Sequence, residues 1–511
     1  MVRFFRGKYA FTVCFILFII WQLPGIVPFI SYEGDAVSIS MGCEYTYSHG
    51  WHTLGDEGYG YWMQPLAYIL IVAIKHLLPS CGCEQIYSVV SSMSCVGCQL
   101  LIIVFAHRLM GLNKLAILFS LLLMPESYAL GMYPNTTAIA VVFFMGGVCL
   151  IQRRNTFYAF VLLMIAPFVR LDVLMIYPVI PVIMSLSGCS WGRSISISLG
   201  FGMLLAIFIL LFFPLLGADV FKTMTEYSRW NSIITYDKNL LAIIGFYGII
   251  NIFLVPIGYF VLCKKGRWGI VFLITIAVLL VHLFNFRFGN ASKHFALLLP
   301  FVSILVAIGV EYFIRTSNNV LSVVLGFAVF CYLFIGCRFI DGVNSYPQAR
   351  LNRYVPTLIC LKSGTLEICL GGGQPAMTAD ETMLFSGQFF YPWYVHNLKN
   401  ENLSRQERLI QSLHDNPDDK MVIATWEESQ RLKLFSIIHG LEMDNVIYDE
   451  KLSKFRRGIR KHETQVGLCR YVNKVYGNHA DVKFVCTESI SHAWDKMVSI
   501  VEKELHVKTV R

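Results

Sequence analysis

Apolar residues along the first two thirds of the chain come in long unbroken runs, with polar residues gathered between them instead of alternating among them. Runs of this kind predict helices that are hydrophobic all round, and crossing a bilayer core takes about 20 such residues. Residues 9–30 form the first run. Further runs near 86–106, 115–130, 136–151, 156–170, 172–187, 195–216, 240–262, 268–286, 294–313 and 319–338 bring the expectation to eleven spans. The first run is too long for the apolar region of a signal peptide and lacks a small-residue cleavage site, so it is expected to stay as a helix.

Residues 66–79, "LAYILIVAIKHLLP", are apolar too, but short and interrupted by Lys75 and His76. Short cytoplasmic connections collect Lys and Arg. If 66–79 lies on the outer surface, the cytoplasmic connections are "MVRFFRGK", "HRLMGLNK", "QRRN", "SGCSWGRS", "CKKGRWG" and "IRTSNN", which hold twelve Lys or Arg and no Asp or Glu. If it crosses, the five basic connections after it move to the other face. Residues 66–79 are therefore expected as an outer juxtamembrane helix.

The pattern changes after residue 338. Residues 339–511 carry 22 Lys or Arg and 21 Asp or Glu, against 20 and 12 in the part before. Segments such as "DKMVIATWE" and "ADVKFVCTE" read as short strands, and "SRQERLIQSLHD" and "SHAWDKMVSIVEKEL" as amphipathic helices. The expected architecture is an α-helical multi-pass membrane domain, 1–338, followed by an extracytoplasmic soluble α/β domain, 339–511. Composition agrees, with 56% hydrophobic residues, 15% charged and a mean hydropathy of +0.58. The net charge of +9 comes mostly from the cytoplasmic loops, and no basic stripe with interleaved aromatics appears, so no nucleic-acid partner is expected. Cysteines in the apolar runs read as small hydrophobes, while Cys360, Cys369, Cys469 and Cys486 are available for disulfides in the exported part.

The candidate chemistry gathers on the outer face. The loop 31–64 holds Glu33, Asp35, Glu44, Asp56 and Glu57, and no Lys or Arg follows until Lys75. A carboxylate there suits a general base or a ligand for a divalent cation. Taken singly, Glu44, Asp56 and Glu57 read as solvation of a non-cytoplasmic loop. Asp35, just past the first span, reads more strongly as functional. His49 and His52, one helical turn apart, form with Asp35 a candidate metal site, against the simpler reading of a solvated histidine pair. Trp51, Tyr59, Tyr61 and Trp62 fit an interfacial aromatic belt or a sugar-stacking surface. Arg170, Asp172, Arg287, Lys293 and His294 lie at outer span ends, where charge is costly to keep. Arginine matches a phosphate with its planar fork, so Arg170, Arg287 and Lys293 are candidates to hold a lipid phosphate.

"EGDA" followed by "YWMQPLAYIL", then "FAHRLMGLNKLAILFSLLLMPESYALGMYPNTTAIAVVFF", "APFVRLDVLMIYPVIPV" and "FRFGNASKHFALLLPFVSIL" resemble the motifs of the membrane-embedded GT-C glycosyltransferases. The nearest likeness is to lipid A aminoarabinose transferases and protein O-mannosyltransferases. It covers residues 1–340. The resemblance implies a sugar transferred from a polyprenyl- or dolichyl-phosphate donor to a glycan, lipid or protein acceptor, with inversion: a hexosyl- or pentosyltransferase. It also implies Asp35 as catalytic base, with Glu33 sharing that role, and Arg170 with Arg287 or Lys293 on the donor phosphate. Asp56, Glu57, Glu126, Asn135, Asp172 and His294 complete the candidate substrate contacts. The reaction requires no cofactor, or else a divalent cation. Asn135 stands where relatives often carry Asp, and Gln64 where they often carry a basic residue.

Two other classes stay open. A transporter or flippase of a lipid-linked saccharide calls for mid-span charges and inverted repeats, and an O-antigen ligase or polymerase calls for arginine-rich late loops. A receptor with a binding tail is a third. Sequons at Asn135, Asn290 and Asn402 fall on the outer side. A bacterial inner membrane is expected, or the endoplasmic reticulum membrane in a eukaryotic host.

Overall fold

The computed structural model describes residues 9–27, 34–53, 65–132, 134–215, 247, 249–288 and 292–316, then short elements and single residues between 326 and 503. The described part before 317 is helical: α1 (Ala10–Ile26), α2 (Gly34–His49) with a 3-10 turn at Trp51–Thr53, α3 (Pro65–Leu77), α4 (Cys83–Met110), α5 (Lys114–Leu122), α6 (Pro125–Met132), α7 (Thr136–Gln152) and α8 (Thr156–Val169). A 3-10 segment, Leu171–Val179, leads into α9 (Ile180–Leu186). Then come α10 (Trp191–Leu215), α11 (Ile249–Lys264), α12 (Trp268–Phe288), a 3-10 segment at Ser292–Leu298, and α13 (Leu299–Thr316). Cys83–Met110, Trp191–Phe212 and Phe295–Thr316 are long and apolar enough to cross a membrane, and shorter apolar helices accompany them. The chain is an integral membrane protein. The run expected at 319–338 lies almost entirely outside the described residues, and its last two positions open a strand.

One expected span is corrected. The run 115–130 is two helices, α5 and α6, separated at Leu123-Met124. Pro125 explains the break, since it has no N–H and disfavours helical geometry in the residue before it. Carbonyls at and around a break in apolar surroundings need other partners. Asn251 Nδ2 donates to the Leu123 carbonyl at 2.7 Å, and the Ser127 hydroxyl donates to that of Leu121. Gln99 Nε2 donates to the Ser127 carbonyl at 2.7 Å, and the Ser92 hydroxyl to that of Gly131. Apolar periodicity alone could not register this polar lining.

Described parts of the basic connections meet one another in pairs. Asn113 opens α5 by accepting from the Leu115 N–H, and its own N–H donates to Glu311 near the end of α13. Arg154, at the α7–α8 turn, reaches Gly188 before α10. Helix α3 clusters through Ala67, Tyr68, Ile71 and Val72 with Ile86 and Tyr87 near the start of α4, Ile139 and Ala140 near the start of α7, and Val169 at the end of α8.

Helices α11 and α13 meet by reciprocal glycine contacts. A Cβ on Gly258 would stand 2.3 Å from the Leu305 carbonyl oxygen, and one on Gly309 would stand 2.8 Å from that of Leu254. Small residues let membrane helices approach this closely. Gly258→Leu is expected to force the pair apart, losing the folded, monodisperse protein in detergent. A size-exclusion profile matching wild type would contradict this packing.

Beyond residue 336 the described elements are two sheets and two helices. Strands β1 (Cys337–Ile340), β2 (Thr357–Lys362), β3 (Thr365–Leu370) and β4 (Thr382–Phe385) form an antiparallel sheet in the order β1-β4-β2-β3. Strands β5 (Lys420–Ile423), β6 (Val446–Tyr448) and β7 (Val482–Val485) form a parallel one in the order β6-β5-β7. Helices α14 (Glu450–Phe455) and α15 (His462–Tyr476) lie between β6 and β7. Asp449 joins them: its Oδ1 accepts from the N–H groups of Lys451 and Leu452, and its Oδ2 from the Tyr471 and Tyr476 hydroxyls. Burial, reinforced by Asp449, pushes the Tyr471 phenol up to about 12 and that of Tyr476 further up.

Candidate functional site

The acidic stretch folds as α2, and the 100° step of a helix divides it into three sectors. Ala36, Ile39 and Cys43 face the α3/α4 cluster. Val37 and Met41 face Leu434, with Ile437 beside it. The third sector takes Asp35, Ser38, Gly42, Tyr45 and His49 by backbone position.

Glu44 fixes the helix in place. It is 5% exposed, so its expected role as a solvated loop acid is corrected. Its Oε1 accepts from the Cys83 N–H at 2.6 Å, capping the first turn of α4 across 39 residues of sequence. A carboxylate there satisfies an otherwise unpaired helical N–H and meets the positive end of the helix dipole. Lys75 stands 3.8 Å from the same oxygen and donates to the carbonyls of Cys81 at 2.7 Å and Pro79 at 3.1 Å. The ammonium also lies 5.0 Å from the centre of the Tyr47 ring. The two charges that interrupt the loop and the short apolar helix are thus partners. Burial pushes the neighbouring Cys43 thiol well up, which keeps it protonated.

Arg170 is the second anchor. It ends α8 in extended geometry, φ −158° and ψ 114°, and caps the 3-10 segment whose first turn holds Asp172. Its Nε reaches both carboxylate oxygens of Asp172 at 2.8 Å, and Nη1 meets the Thr136 hydroxyl at 3.3 Å. Arg170 is 7% exposed, so a cation is held at the end of α8 with a carboxylate beside it. Val169, just before it, belongs to the same apolar cluster as Ala36, just after Asp35. Sequence spacing gave no sign of Thr136, Glu44 or Lys75 as partners, because each pairing is made by tertiary packing.

Asn135 is a helix cap. Its Oδ1 accepts from the Ala138 N–H at 2.9 Å, and its Nδ2 donates to the Leu130 carbonyl at 2.6 Å. Both ends of the amide are engaged within the protein, joining α6 to α7. Arg287, Lys293, His294, Glu126 and Asp35 are placed by backbone only: Arg287 near the end of α12, Lys293 and His294 in the following 3-10 segment, Glu126 in the first turn of α6, and Asp35 in the first turn of α2. Glu33, Asp56 and Glu57 lie outside the described residues.

The suggested metal ligands meet different surroundings. His49 Nδ1 is 3.0 Å from the Tyr45 carbonyl and its ring stacks on that of Tyr45 at 4.2 Å, which leaves Nε2 as its ligand nitrogen. Both His49 and His52 are exposed. Among the described residues no group of three His, Cys, Asp or Glu converges.

What these elements define is an integral membrane protein in which a braced helix, α2, shares an apolar cluster with the residue before a buried arginine. No family model matches the chain, and no curated protein matches it. Among solved structures it is similar to ArnT from Cupriavidus metallidurans bound to undecaprenyl phosphate, with a TM-score of 0.48 and 10% identity over 98% of this chain and 90% of that one. It is likewise similar to the apo state of the same protein, with the same score and identity over 97% and 89%. A likeness this loose transfers neither residues nor activity.

Proposed function

We propose that the chain is a GT-C-type glycosyltransferase that moves a sugar from a polyprenyl-phosphate donor to an acceptor on the extracytoplasmic face. The observation that carries this reading is the buried Arg170, paired with Asp172 and set through Val169 and Ala36 in one apolar cluster with the helix whose first turn holds Asp35. In this reading the acceptor oxygen attacks the anomeric carbon as the bond to the phosphate oxygen breaks. The bonding electrons leave with the polyprenyl phosphate, the acceptor proton passes to Asp35 or Glu33, and configuration inverts. Arg170, with Arg287 or Lys293, meets the charge that grows on the departing phosphate, where preorganised donors act most strongly. Asp172 orients the guanidinium, and the outer domain 339–511 covers this face.

The cation assignment predicts that Arg170→Gln lowers kcat/KM for the lipid donor about tenfold to a hundredfold, the effect of losing one charge-assisted hydrogen bond. Steady-state kinetics on protein matched for melting temperature checks it. Wild-type kcat/KM in a folded Arg170→Gln variant counts against the assignment. Chelation separates the cofactor readings: turnover lost to EDTA and restored by Mg2+ or Mn2+ assigns a cation to Asp35, His49 and His52, and unchanged turnover assigns the charge to the protein's own cations.

A further inference from the structure

Leu434 lies far along the chain from the membrane helices, yet it is 2% exposed and closes a small apolar cluster with Val37 and Met41 of α2, both fully buried, and with Ile437. Val37 and Met41 are one helical turn apart, so they form a single face, turned away from the face that Ala36, Ile39 and Cys43 press against α3 and α4. Helix α2 is therefore held on two sides, by the membrane bundle and by the C-terminal region. On the bundle side polar bonds add to the grip, through Glu44 to Cys83 and Lys75. On the other side the contact is apolar, and Leu434 is its buried centre.

We propose that Leu434 is a positioning residue, and that the C-terminal region acts through it as a clamp that fixes α2, and with it Asp35, relative to the buried Arg170. The proposal deepens the glycosyltransferase reading and rests on it for its kinetic consequence; its structural consequence stands separately. Val37 lies two residues from Asp35, about half a turn of helix. A tilt of α2 on losing Leu434 thus moves the base directly. Misplacing a reacting group by an ångström costs about a hundredfold in rate, while binding at a separate phosphate site is untouched. The cluster that Leu434 closes is made of Val37, Met41 and Ile437 and does not include Arg170, so kcat and KM should part company.

The test uses the full chain in detergent or nanodiscs. In Leu434→Ala, backbone hydrogen exchange should rise across α2 and stay at wild-type rates in α4 and α7, and kcat should fall about tenfold to a hundredfold with the donor KM little changed. Leu434→Met, which refills the contact, should restore both. Should Leu434→Ala not be recoverable as folded protein, Met41→Ala probes the same contact from the other side with the same expected pattern. Unchanged exchange in α2, or exchange rising equally throughout the bundle, overturns the clamp. A kcat equal to wild type, alongside a loosened α2 and an inactive Asp35→Asn variant, overturns the positioning role. If Asp35→Asn is fully active, the transferase reading has failed, and the exchange pattern alone decides whether the clamp exists.

Discussion

Glu44→Ala is expected to destabilise the folded protein by about 3–5 kcal/mol, the range for breaking a buried ion pair from one side. The change strips the Cys83 N–H of its acceptor and leaves Lys75 buried without a counter-charge, against the carbonyls of Cys81 and Pro79 and the Tyr47 ring. Glu44→Gln keeps an oxygen for the Cys83 N–H and should cost less. Pairing Glu44→Gln with Lys75→Met removes the stranded charge and should recover part of the loss. Thermal unfolding of the purified variants in one detergent checks the order, with Ala lowest, then Gln, then the double variant. Equal melting temperatures for wild type and Glu44→Ala would mean that this carboxylate does not brace α2.

Asp35→Asn is expected to lower sugar transfer about a thousandfold, within the usual contribution of a general base. Asparagine preserves the shape of the side chain and removes its ability to take the acceptor proton. Asp35 lies in the first turn of α2, so the helix should remain as stable as in wild type apart from a weakened interaction with its dipole. The contrast with Glu44 is the informative part. Two carboxylates nine residues apart on one helix should separate completely, one removing stability and the other removing chemistry. A residual rate carried by Glu33 is distinguished by the double variant with Glu33→Gln.

Continuous apolar runs made the helices legible, because hydrophobic length is a local property of the chain. The break at Pro125 was also written in the sequence, although the run around it reads as one apolar stretch. Asn135 before two threonines and an apolar run carries a helix-capping signature, which the structure realises at Ala138. Other features depend on packing and were out of reach. Nothing local ties Glu44 to Lys75 and Cys83, or Arg170 to Thr136, since these residues meet only when α2, α3, α4, α7 and α8 assemble at one end. Leu434 on Val37 and Met41 is the extreme case, a contact across almost 400 residues that no periodicity encodes. Of the candidate site, the types of residue were readable. Which of them brace the site and which remain for chemistry was not.

The most direct test is to supply the purified protein with a panel of radiolabelled polyprenyl-phosphate sugars and membrane extract, and to follow release of polyprenyl phosphate by wild type and by Asp35→Asn. The account predicts release with a particular donor from wild type, and almost none from Asp35→Asn. Equal release from both would remove Asp35 from the chemistry. No release with any donor, together with movement of lipid-linked sugar across proteoliposomes, would contradict the transferase and point to a transporter.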